Sequence, residues 1–514
     1  MLKKMNRRDF IAAATSTILP LTVNGLNLKT FTRDSPIVRS LMSTAAANED
    51  KILVIIYLNG GNDGLNTVIP LDSYSQYYKL RTNIAIPENQ ILKLNGYPET
   101  GFHPVMTGMR DMFNEGKLGI IHSVSYPNPN FSHYRSSDIW MTGVDSNQFA
   151  DTGWAGRYLD NRYPGFPTSY PNQTMKDPLA LQIGSVSTTT LLGPQQPMNV
   201  TIQDPESFYK LVGQMEQLPS TDLPCCEAGR RIDFIRRQQI LSVGYSAEIK
   251  AAADAGQNLA TYPAAISGNT LAEQLKIIAR LIHGGLQSKI YFAELRGFDT
   301  HALQVTSTNT AEGEHARLLR LLSEAITAFQ SDLKLQGTEN KVIGLTFSDF
   351  GRRVDSNASY GTDHGSSSPM FVFGTGLKRQ MVGTNPNLTT DLDPMFINSR
   401  ETNVNLKMQV DFRRIYSDIL RDWFGTPGTT TNSLMFKNFQ TTSLFSDVVF
   451  STASGVWQDR SIWSSGRMPG PKDYVIINAG HVVSVNQNLV VRNIQVEAAG
   501  ELLFTGNFTV TTSG

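Results

Sequence analysis

The feature that most constrains the fold is a series of short apolar runs separated by longer amphipathic stretches. The first run, residues 51–58 (KILVIIYL), is continuously apolar and rich in β-branched side chains. That composition is typical of a strand buried on both faces. Comparable runs occupy residues 118–124, 289–295, 341–347 and 370–373. Strands of this kind need packing partners on both sides, so the runs predict a sheet enclosed by helices.

The stretches between the runs have helical periodicity. Residues 270–273 (Thr-Leu-Ala-Glu) form a capping box that predicts a helix start, and apolar side chains at 275, 278 and 282 follow on one face. Residues 319–329 and 412–424 carry similar apolar stripes. Alternation of strands with helices of this length predicts an α/β fold with a mainly parallel sheet and helices on both faces.

The pattern changes near residue 440, after which no helical periodicity remains. Short alternating strands are predicted at residues 474–477, 481–485, 489–496 and 502–509. This spacing is typical of a β-helix or of a small sandwich. We therefore predict a main domain over residues 50–440 and a small all-β module over residues 449–514. The module ends without a capping element, and we interpret it as incomplete or as continued in the native protein.

The N-terminus has the layout of an export signal. Lys3, Lys4, Arg7 and Arg8 precede a weakly apolar run over residues 10–23 that is too short to span a bilayer stably. Residues 6–11 (NRRDFI) are similar to a twin-arginine signal; a general secretory signal or a membrane anchor is the alternative. Residues 1–47 are thus predicted to be export signal and connector, which places the mature chain in the periplasm, on the cell surface or in the medium. No later run predicts a transmembrane span.

Charge excludes one class of partner. Lys and Arg number 45, and so do Asp and Glu, so no global positive field directs the chain to nucleic acid.

Polar residues follow the predicted strands at the sheet edge where ligands bind in open parallel sheets. Asp63 follows the first run, Asp299 and His301 follow the run at 289–295, Asp349 follows the run at 341–347, and His364 precedes the run at 370–373. Crowded carboxylates repel one another unless cations lie between them. A mixed set of oxygen and nitrogen donors suits zinc, manganese or magnesium, so these five residues predict a divalent metal site.

Three further residues are candidates for catalysis. Ser132 and His133 follow a stiff polar loop and precede a helical stretch, where a hydroxyl at a helix N-terminus is well placed to attack an anionic ester. The alternative is that Ser132 caps the helix and His133 packs against a strand end. Arg352, next to Arg353, offers bidentate contacts to phosphate or sulfate.

Six segments in order resemble one family over residues 50–430. They are LNGGNDGLNTVIPL, HSVSYPNPNFSHYRSSDIW, GWAGRYLD, GFDTHALQ, TFSDFGRRV and GTDHGSSSPMFVFGTGLK. Together they resemble the DUF1501 family of exported bacterial proteins. The resemblance implies an alkaline-phosphatase-like fold, within the superfamily that also contains the sulfatases.

The resemblance also implies a ligand set. The superfamily's metal ligands correspond to Asp63, Asp299, His301 and His364. Its Asp-His pair after the next strand corresponds to Asp349 and Phe350, and a phenylalanine cannot bind a metal. Either His133 or Asp363 substitutes for the missing ligand, or the site holds a single ion.

These observations predict an exported, metal-dependent hydrolase that acts on phosphate or sulfate esters, with an anionic ester or a polysaccharide as substrate. The chain has no C/S-x-P-S/A-R motif, so a sulfatase that depends on formylglycine is not expected. The alternative is a non-catalytic exported protein that keeps the fold and binds a surface or a polysaccharide. The missing histidine at Phe350 favours this alternative, and the retained candidate ligands favour the hydrolase.

Overall fold

The computed structural model describes residues 21–23, 26–28, 50–167, 169–184, 187–212, 226–264, 268–394, 404–445, 448–464, 467–471, 473–497 and 499–512. The chain divides into two compact units, Met1–Lys51 and Ile52–Gly514. In the first unit, Leu21–Val23 pairs antiparallel with Leu26–Leu28. Otherwise the predicted export signal and connector lie outside the described residues.

A nine-stranded sheet forms the centre of the second unit. Its strands are β1 (Ile52–Asn59), β2 (Leu118–Ser125), β3 (Ala180–Ile183), β4 (Asn199–Ile202), β5 (Ile290–Arg296), β6 (Val342–Ser348), β7 (Ser368–Phe373), β8 (Met381–Val382) and β9 (Val410–Asp411). The spatial order is β8-β2-β7-β6-β1-β5-β3-β4, and β9 also pairs with β2. All pairings are parallel except the two made by β7, so the predicted mainly parallel sheet is confirmed.

Eleven α-helices occur among the described residues. They are α1 (Gly64–Thr67), α2 (Tyr74–Leu80), α3 (Thr107–Asn114), α4 (His133–Thr142), α5 (Trp154–Arg162), α6 (Pro205–Val212), α7 (Cys226–Ala255), α8 (Thr270–His283), α9 (Glu314–Leu335), α10 (Phe412–Asp418) and α11 (Gly428–Leu434). A π-helical turn, Ile419–Trp423, continues α10.

Helices pack on both faces of the sheet, as predicted. Trp140 of α4 stacks on Phe347 of β6 with ring centroids 5.8 Å apart, and Phe329 of α9 contacts Phe373 of β7 at 6.5 Å. Phe373 lies opposite Gly344, which is an odd number of positions from Phe347, so the two contacts lie on opposite faces. The central strand β1 is buried from Ile52 to Leu58 between these layers.

One helix start differs from the sequence prediction. The N-cap of α8 is Asn269, whose side-chain oxygen accepts a hydrogen bond from the Ala272 backbone N–H. Thr270 is therefore the first helical residue and not the cap. Asparagine and threonine are both good N-caps, so composition alone does not distinguish these adjacent positions.

The C-terminal strands form three short ladders that are parallel between successive turns of the chain. The ladders are Val448–Phe450 with Tyr474–Ile477 and Asn493–Val496, Gly455–Val456 with Val482–Val485 and Glu501–Phe504, and Leu489–Val491 with Val510–Thr512. Parallel pairing between turns is the arrangement of a β-helix, not of an antiparallel sandwich. These strands enclose their own apolar cluster, which includes Trp457 and Trp463. The boundary near residue 449 stays a prediction.

The remaining strands lie outside the central sheet. Val68–Pro70, Leu92–Leu94 and Tyr97–Phe102 form one small antiparallel sheet; Gly351–Arg352 pairs with His364–Gly365, and Leu392–Pro394 pairs with Val404–Leu406. Across the described part of the chain, no helix has both the length and the hydropathy to cross a bilayer.

Candidate metal centre

The candidate residues lie at the carboxyl ends of adjacent strands. The segment Gly60–Asp63 follows β1, the segment Gly297–His301 follows β5, and Asp349 follows β6 directly. His364 reaches the same edge because the short strand His364–Gly365 pairs with Gly351–Arg352 just beyond β6. Parallel strands thus deliver three distant segments to one place, as the sequence pattern predicts.

Four of these side chains form a cluster, here called the histidine cluster. One ligand atom from each of His133, Asp299 and His364 lies within 4.8 Å of the other two. The fourth member is His301, whose Nε2 lies 2.8 Å from Nε2 of His364 and 3.2 Å from Oδ1 of Asp299. The cluster is partly open to solvent, since the side chains of Asp299 and His301 are 47% and 44% exposed.

Each histidine of the cluster is tied back through its Nδ1 atom. The three partners are an Asp349 carboxylate oxygen at 2.5 Å from His133, an Asp363 carboxylate oxygen at 3.1 Å from His301, and the Phe131 carbonyl at 2.8 Å from His364. Carbonyls and ionised carboxylates only accept hydrogen bonds, so each Nδ1 is assigned the proton. In the neutral imidazoles, all three Nε2 atoms then carry lone pairs.

These lone pairs converge on the Asp299 carboxylate. The Nε2 atoms of His301 and His364 lie 3.2 Å from its Oδ1, and Nε2 of His133 lies 3.6 Å from its Oδ2. A single proton can relieve only one such contact, whereas one cation interacts with all four groups. Metal-binding histidines commonly donate their second ring nitrogen to a carboxylate or carbonyl in this manner. The donor chemistry therefore fits a divalent ion.

Protonation equilibria differ among the four members. The hydrogen bond to Asp349 raises the pKa of His133 above its usual value. Burial lowers the pKa of His364. Burial opposes ionisation of Asp299, but the hydrogen bond and charge of Arg352 outweigh it and lower the pKa of that carboxyl.

Asp349, a predicted ligand, lies behind His133. Its carboxylate is fully buried, accepts a hydrogen bond from the Tyr57 hydroxyl, and holds Nδ1 of His133. Its side chain is 0% exposed, and each of its two oxygens is already engaged in one of these contacts. The structure thus places Asp349 where it orients a ligand.

Asp63, the other predicted ligand outside the cluster, forms a buried ion pair. Nη1 of Arg81 lies 2.8 and 2.7 Å from its two carboxylate oxygens, and Gln304 donates to Oδ2 at 2.5 Å. Burial raises the pKa of Asp63, but the Arg81 charge and these hydrogen bonds outweigh it, so the pKa lies below its usual value. Arg81 supplies the compensating charge that the prediction assigned to a metal.

Arg352, predicted to contact an anionic ester, is buried and used within the fold. Its guanidinium donates to four backbone carbonyls, those of Gly60, Gly61, Phe298 and Thr362. Its Nη2 also donates to Oδ1 of Asp299 at 2.7 Å. All three guanidinium nitrogens are engaged and the side chain is 0% exposed, so Arg352 positions Asp299 and the surrounding loops.

Phe350 packs where the resemblance implies a metal-binding histidine. Its ring centroid lies 4.8 Å from that of His133 and 4.4 Å from that of His364. A Cβ at Gly61, where φ is +86°, would come within 2.5 Å of this ring, so the backbone of the loop that follows β1 packs against the ring. Phe350 therefore also packs against two histidines of the cluster, His133 and His364.

Ser132 is the N-cap of α4 but its side chain makes no capping hydrogen bond. It is exposed and directly precedes His133. The hydroxyl is thus uncommitted to the helix, next to one member of the cluster.

Several residues that complete the site were not predicted. Tyr57, Arg81, Gln304 and the Phe131 carbonyl have no local pattern that marks them. Asp363 is a candidate substitute ligand in the sequence, but its carboxylate contacts Nδ1 of His301 and Nη1 of Arg353. Its position next to His364 in the sequence is the signal that indicates a place in this site.

Comparison with known proteins agrees with the resemblance found in the sequence. A family model, described as a protein of unknown function (DUF1501), matches residues 50–435. No curated protein matches the chain.

Similar solved structures are distant. The C-terminal periplasmic domain of EcEptC from Escherichia coli, in complex with Zn, is 10% identical, with 63% of this chain and 73% of that chain covered and a TM-score of 0.28. The alkaline phosphatase from the Antarctic bacterium TAB5 is 11% identical, with 63% and 92% covered and a TM-score of 0.25. The PsFucS1 sulfatase from Pseudoalteromonas sp. is 12% identical, with 79% and 76% covered and a TM-score of 0.29. No activity follows from likenesses at this level.

Proposed function

The chain belongs to the DUF1501 family, and from the geometry of the histidine cluster we propose that it is an exported, metal-dependent hydrolase of phosphate or sulfate esters. The observation that supports this most is the convergence of three Nε2 atoms on Asp299, with every Nδ1 tied back. Ester hydrolysis is one of the reactions that a solvent-open, metal-binding cluster at the carboxyl edge of a parallel sheet can support.

The donor set favours zinc. Three imidazole nitrogens and one carboxylate match a zinc site, whereas magnesium prefers oxygen ligands. A bound divalent ion supplies Lewis acidity toward an ester oxygen. A catalytic zinc keeps a position open to water or substrate, and the side of the cluster on which Asp299 is 47% exposed is where an ester oxygen would reach it.

The protein's own residues have separate roles in this proposal. Asp349 and Tyr57 hold His133 in one ring orientation, and Arg352 fixes Asp299. The Ser132 hydroxyl is the proposed nucleophile, since it precedes the first turn of α4, where free N–H groups and the helix dipole favour an anion. In that step its oxygen bonds to phosphorus or sulfur as the bond to the alkoxide oxygen breaks, and the serine proton passes to the departing alkoxide. Water then attacks the seryl ester, which releases the acid and returns a proton to the Ser132 oxygen.

The test combines metal analysis with turnover. Protein purified without chelator is assayed by inductively coupled plasma mass spectrometry and with p-nitrophenyl phosphate and p-nitrophenyl sulfate. We expect stoichiometric metal and turnover in the wild type, loss of both in Asp299→Ala, and loss of turnover alone in Ser132→Ala. Asp111→Ala, at an exposed carboxylate on α3, is the matched control. A wild type without stoichiometric metal, whose melting temperature no divalent ion raises, contradicts the proposal.

A non-catalytic metal-binding protein is the second candidate. The contacts of Arg352 favour this candidate. Its guanidinium donates to backbone carbonyls and to Asp299, so it does not contact a bound ester. In this case the exported protein binds a surface or polysaccharide, with the β-rich C-terminus as a candidate binding module. Stoichiometric metal without turnover of either ester supports this candidate.

Export is proposed from the N-terminal residues Arg7 and Arg8 and the weakly apolar run that follows. Replacing both arginines with lysine should retain the precursor in the cytoplasm. Unchanged export of that variant indicates the general secretory route instead.

A further inference from the structure

A cavity of about 470 Å³ lies beside the carboxyl end of β5. Strand β3 pairs with β5 only as far as Phe292, so the edge of β5 beyond that residue is free of a neighbouring strand on this side. The cavity has the volume of a small-molecule site, for which roughly 300–1,000 Å³ is usual. Its polar lining includes Gln182, Thr270, Gln274, Glu294, Arg296 and Arg317.

The two arginines of this cavity are oriented by carboxylates but retain free donors. Nε of Arg296 donates to Glu294 at 2.8 Å, and Nε and Nη2 of Arg317 donate to Glu314. Neither Nη of Arg296, nor Nη1 of Arg317, has a hydrogen-bond partner among the described residues. The side chains are 72% and 50% exposed, so these donors are available to a ligand.

The one acid of the lining is already neutralised. Glu294 accepts hydrogen bonds from Nδ2 of Asn59 at 2.7 Å and from Arg296. The Gln274 amide bridges the Glu294 backbone, accepting from its N–H and donating to its carbonyl. Glu314 pairs with Arg317 as Glu294 pairs with Arg296, so the charges balance, and the capacity to bind an anion lies in the unpaired Nη donors of the two arginines.

One helix terminus adds a favourable dipole. Thr270 is the first residue of α8, so this helix directs the positive end of its dipole to the cavity. Helix α9 lines the cavity with its side, through Arg317 and Leu321.

The cavity is close to the histidine cluster. Arg296 precedes Asp299 by three residues, which limits their Cα separation to about 11 Å. Gly297, with φ of +109°, turns the chain between them. Asn59, which contacts Glu294 in the cavity, is followed by Gly60, whose added Cβ would lie 2.3 Å from the Asp299 backbone nitrogen. One extended molecule can therefore occupy both places.

We infer that this cavity is a subsite for a second anionic group of the substrate, with Arg296 and Arg317 as the residues that bind it. The preferred substrate is then a polyanionic carbohydrate chain, phosphorylated or sulfated at two positions, and not a simple monoester. The inference rests on the proposed function, since that function places the first ester at the histidine cluster.

The experiment compares a disulfated disaccharide with the same disaccharide carrying one sulfate, and repeats the comparison with the corresponding phosphate esters. Isothermal titration calorimetry measures the dissociation constants for the wild type, for Arg296→Gln/Arg317→Gln and for Arg320→Gln. The control removes one arginine charge, one turn further along α9 and outside this cavity. We expect the wild type to bind the doubly charged ligand about tenfold tighter, and the double variant to lose this difference. The sulfate and phosphate arms identify which ester chemistry is bound.

Equal affinities for the two ligands in the wild type, or a difference that survives in the double variant, overturn the subsite. Because binding is measured without turnover, the two proposals fail in distinguishable ways. An absence of hydrolysis with the affinity difference intact rejects the hydrolase and leaves the subsite in place. Unchanged melting temperatures of the variants establish that both arginines act on the ligand and not on folding.

Discussion

Two aspartates at the same edge of the sheet illustrate two solutions to one electrostatic problem. Asp63 follows β1 and Asp299 follows β5, its direct parallel neighbour. Asp63 is 0% exposed and is neutralised by Arg81, whereas Asp299 is 47% exposed and faces three histidines. Both carboxylates have their pKa lowered, yet only the second is accessible to a soluble cation.

The comparison teaches that position at a strand end does not determine the role of a carboxylate. Its exposure and its other neighbours do. Each carboxylate contacts a buried arginine, Arg81 at Asp63 and Arg352 at Asp299. Asp63 is closed to solvent, whereas Asp299 is open to it and also faces three Nε2 lone pairs, for which we propose an ion from solution.

The largest effect is expected from Arg81→Leu. This change leaves Asp63 buried without its partner charge and should lower the free energy of unfolding by about 3–5 kcal/mol. Denaturant titration followed by circular dichroism measures it.

Lys79→Leu removes the same charge from an exposed position on α2 and should change the free energy of unfolding by about 0.5 kcal/mol or less. Metal content per folded chain should be unchanged in both variants. Loss of metal in Arg81→Leu chains that remain folded would show that Asp63 belongs to the metal site, and it would contradict the distinction between Asp63 and Asp299.

His364→Ala should act on the histidine cluster. It removes one Nε2 and the contact to Asp299, so bound metal should be lost along with the stabilisation that metal confers. For zinc at about 100 times its dissociation constant, that stabilisation is about 2.7 kcal/mol. Thermal unfolding with and without zinc measures the difference.

The matched control is His283→Ala, which removes a histidine at the end of α8 whose ring contacts the Gln257 backbone and no member of the cluster. It should keep the zinc-dependent rise in melting temperature. An equal rise in His364→Ala contradicts the assignment of His364 as a ligand.

Lowering the pH should affect the histidine cluster and the Asp63–Arg81 pair at different pH values. Protons compete with metal for histidines whose ordinary pKa is about 6.5, and the raised pKa of His133 favours that competition. Metal should therefore leave between about pH 7 and pH 5. The lowered pKa of Asp63 stabilises the fold above the unfolded-state value of about 3.9, and this contribution is lost only as pH falls further.

The two transitions are followed by metal release and by far-ultraviolet circular dichroism on one sample. Simultaneous loss of metal and secondary structure near pH 6 is the result that does not fit two independent regions.

The smallest effect is expected from Asp349→Asn. Asparagine fills nearly the same space, but without the carboxylate the His133 ring is held less firmly, so zinc affinity should fall about 10–100-fold. Competition with a chromophoric chelator measures the dissociation constant. The variant Asp391→Asn, at a half-buried loop carboxylate that contacts the Asn387 backbone, should not change it. An Asp349→Asn protein with wild-type affinity shows that the contact does not support the metal.

Much of the fold could be predicted because burial on both faces leaves a strong sequence pattern. The predicted strands at 289–295 and 341–347 correspond to β5 and β6 with a shift of one residue. Strands β3 and β4 were missed because a polar side chain, Gln182 or Thr201, interrupts each four-residue run. The equally short run at 370–373 is apolar throughout and was detected for that reason.

The site was predictable where a residue lies close to a strand end at this edge of the sheet. Asp299 and His301 follow β5, and His364 precedes β7. The partners that decide the roles of Asp63 and Asp349 are side chains from elsewhere, Arg81 at the end of α2 and Tyr57 on β1. Such pairings depend on tertiary packing, which local patterns do not encode.

The most direct test of the distinction is anomalous diffraction at the zinc absorption edge from crystals grown with zinc. The account predicts one peak per chain within bonding distance of Asp299, His133, His301 and His364, and none beside Asp63, whose oxygens are occupied by Arg81. A peak coordinated by Asp63, or no peak at the histidine cluster, contradicts it.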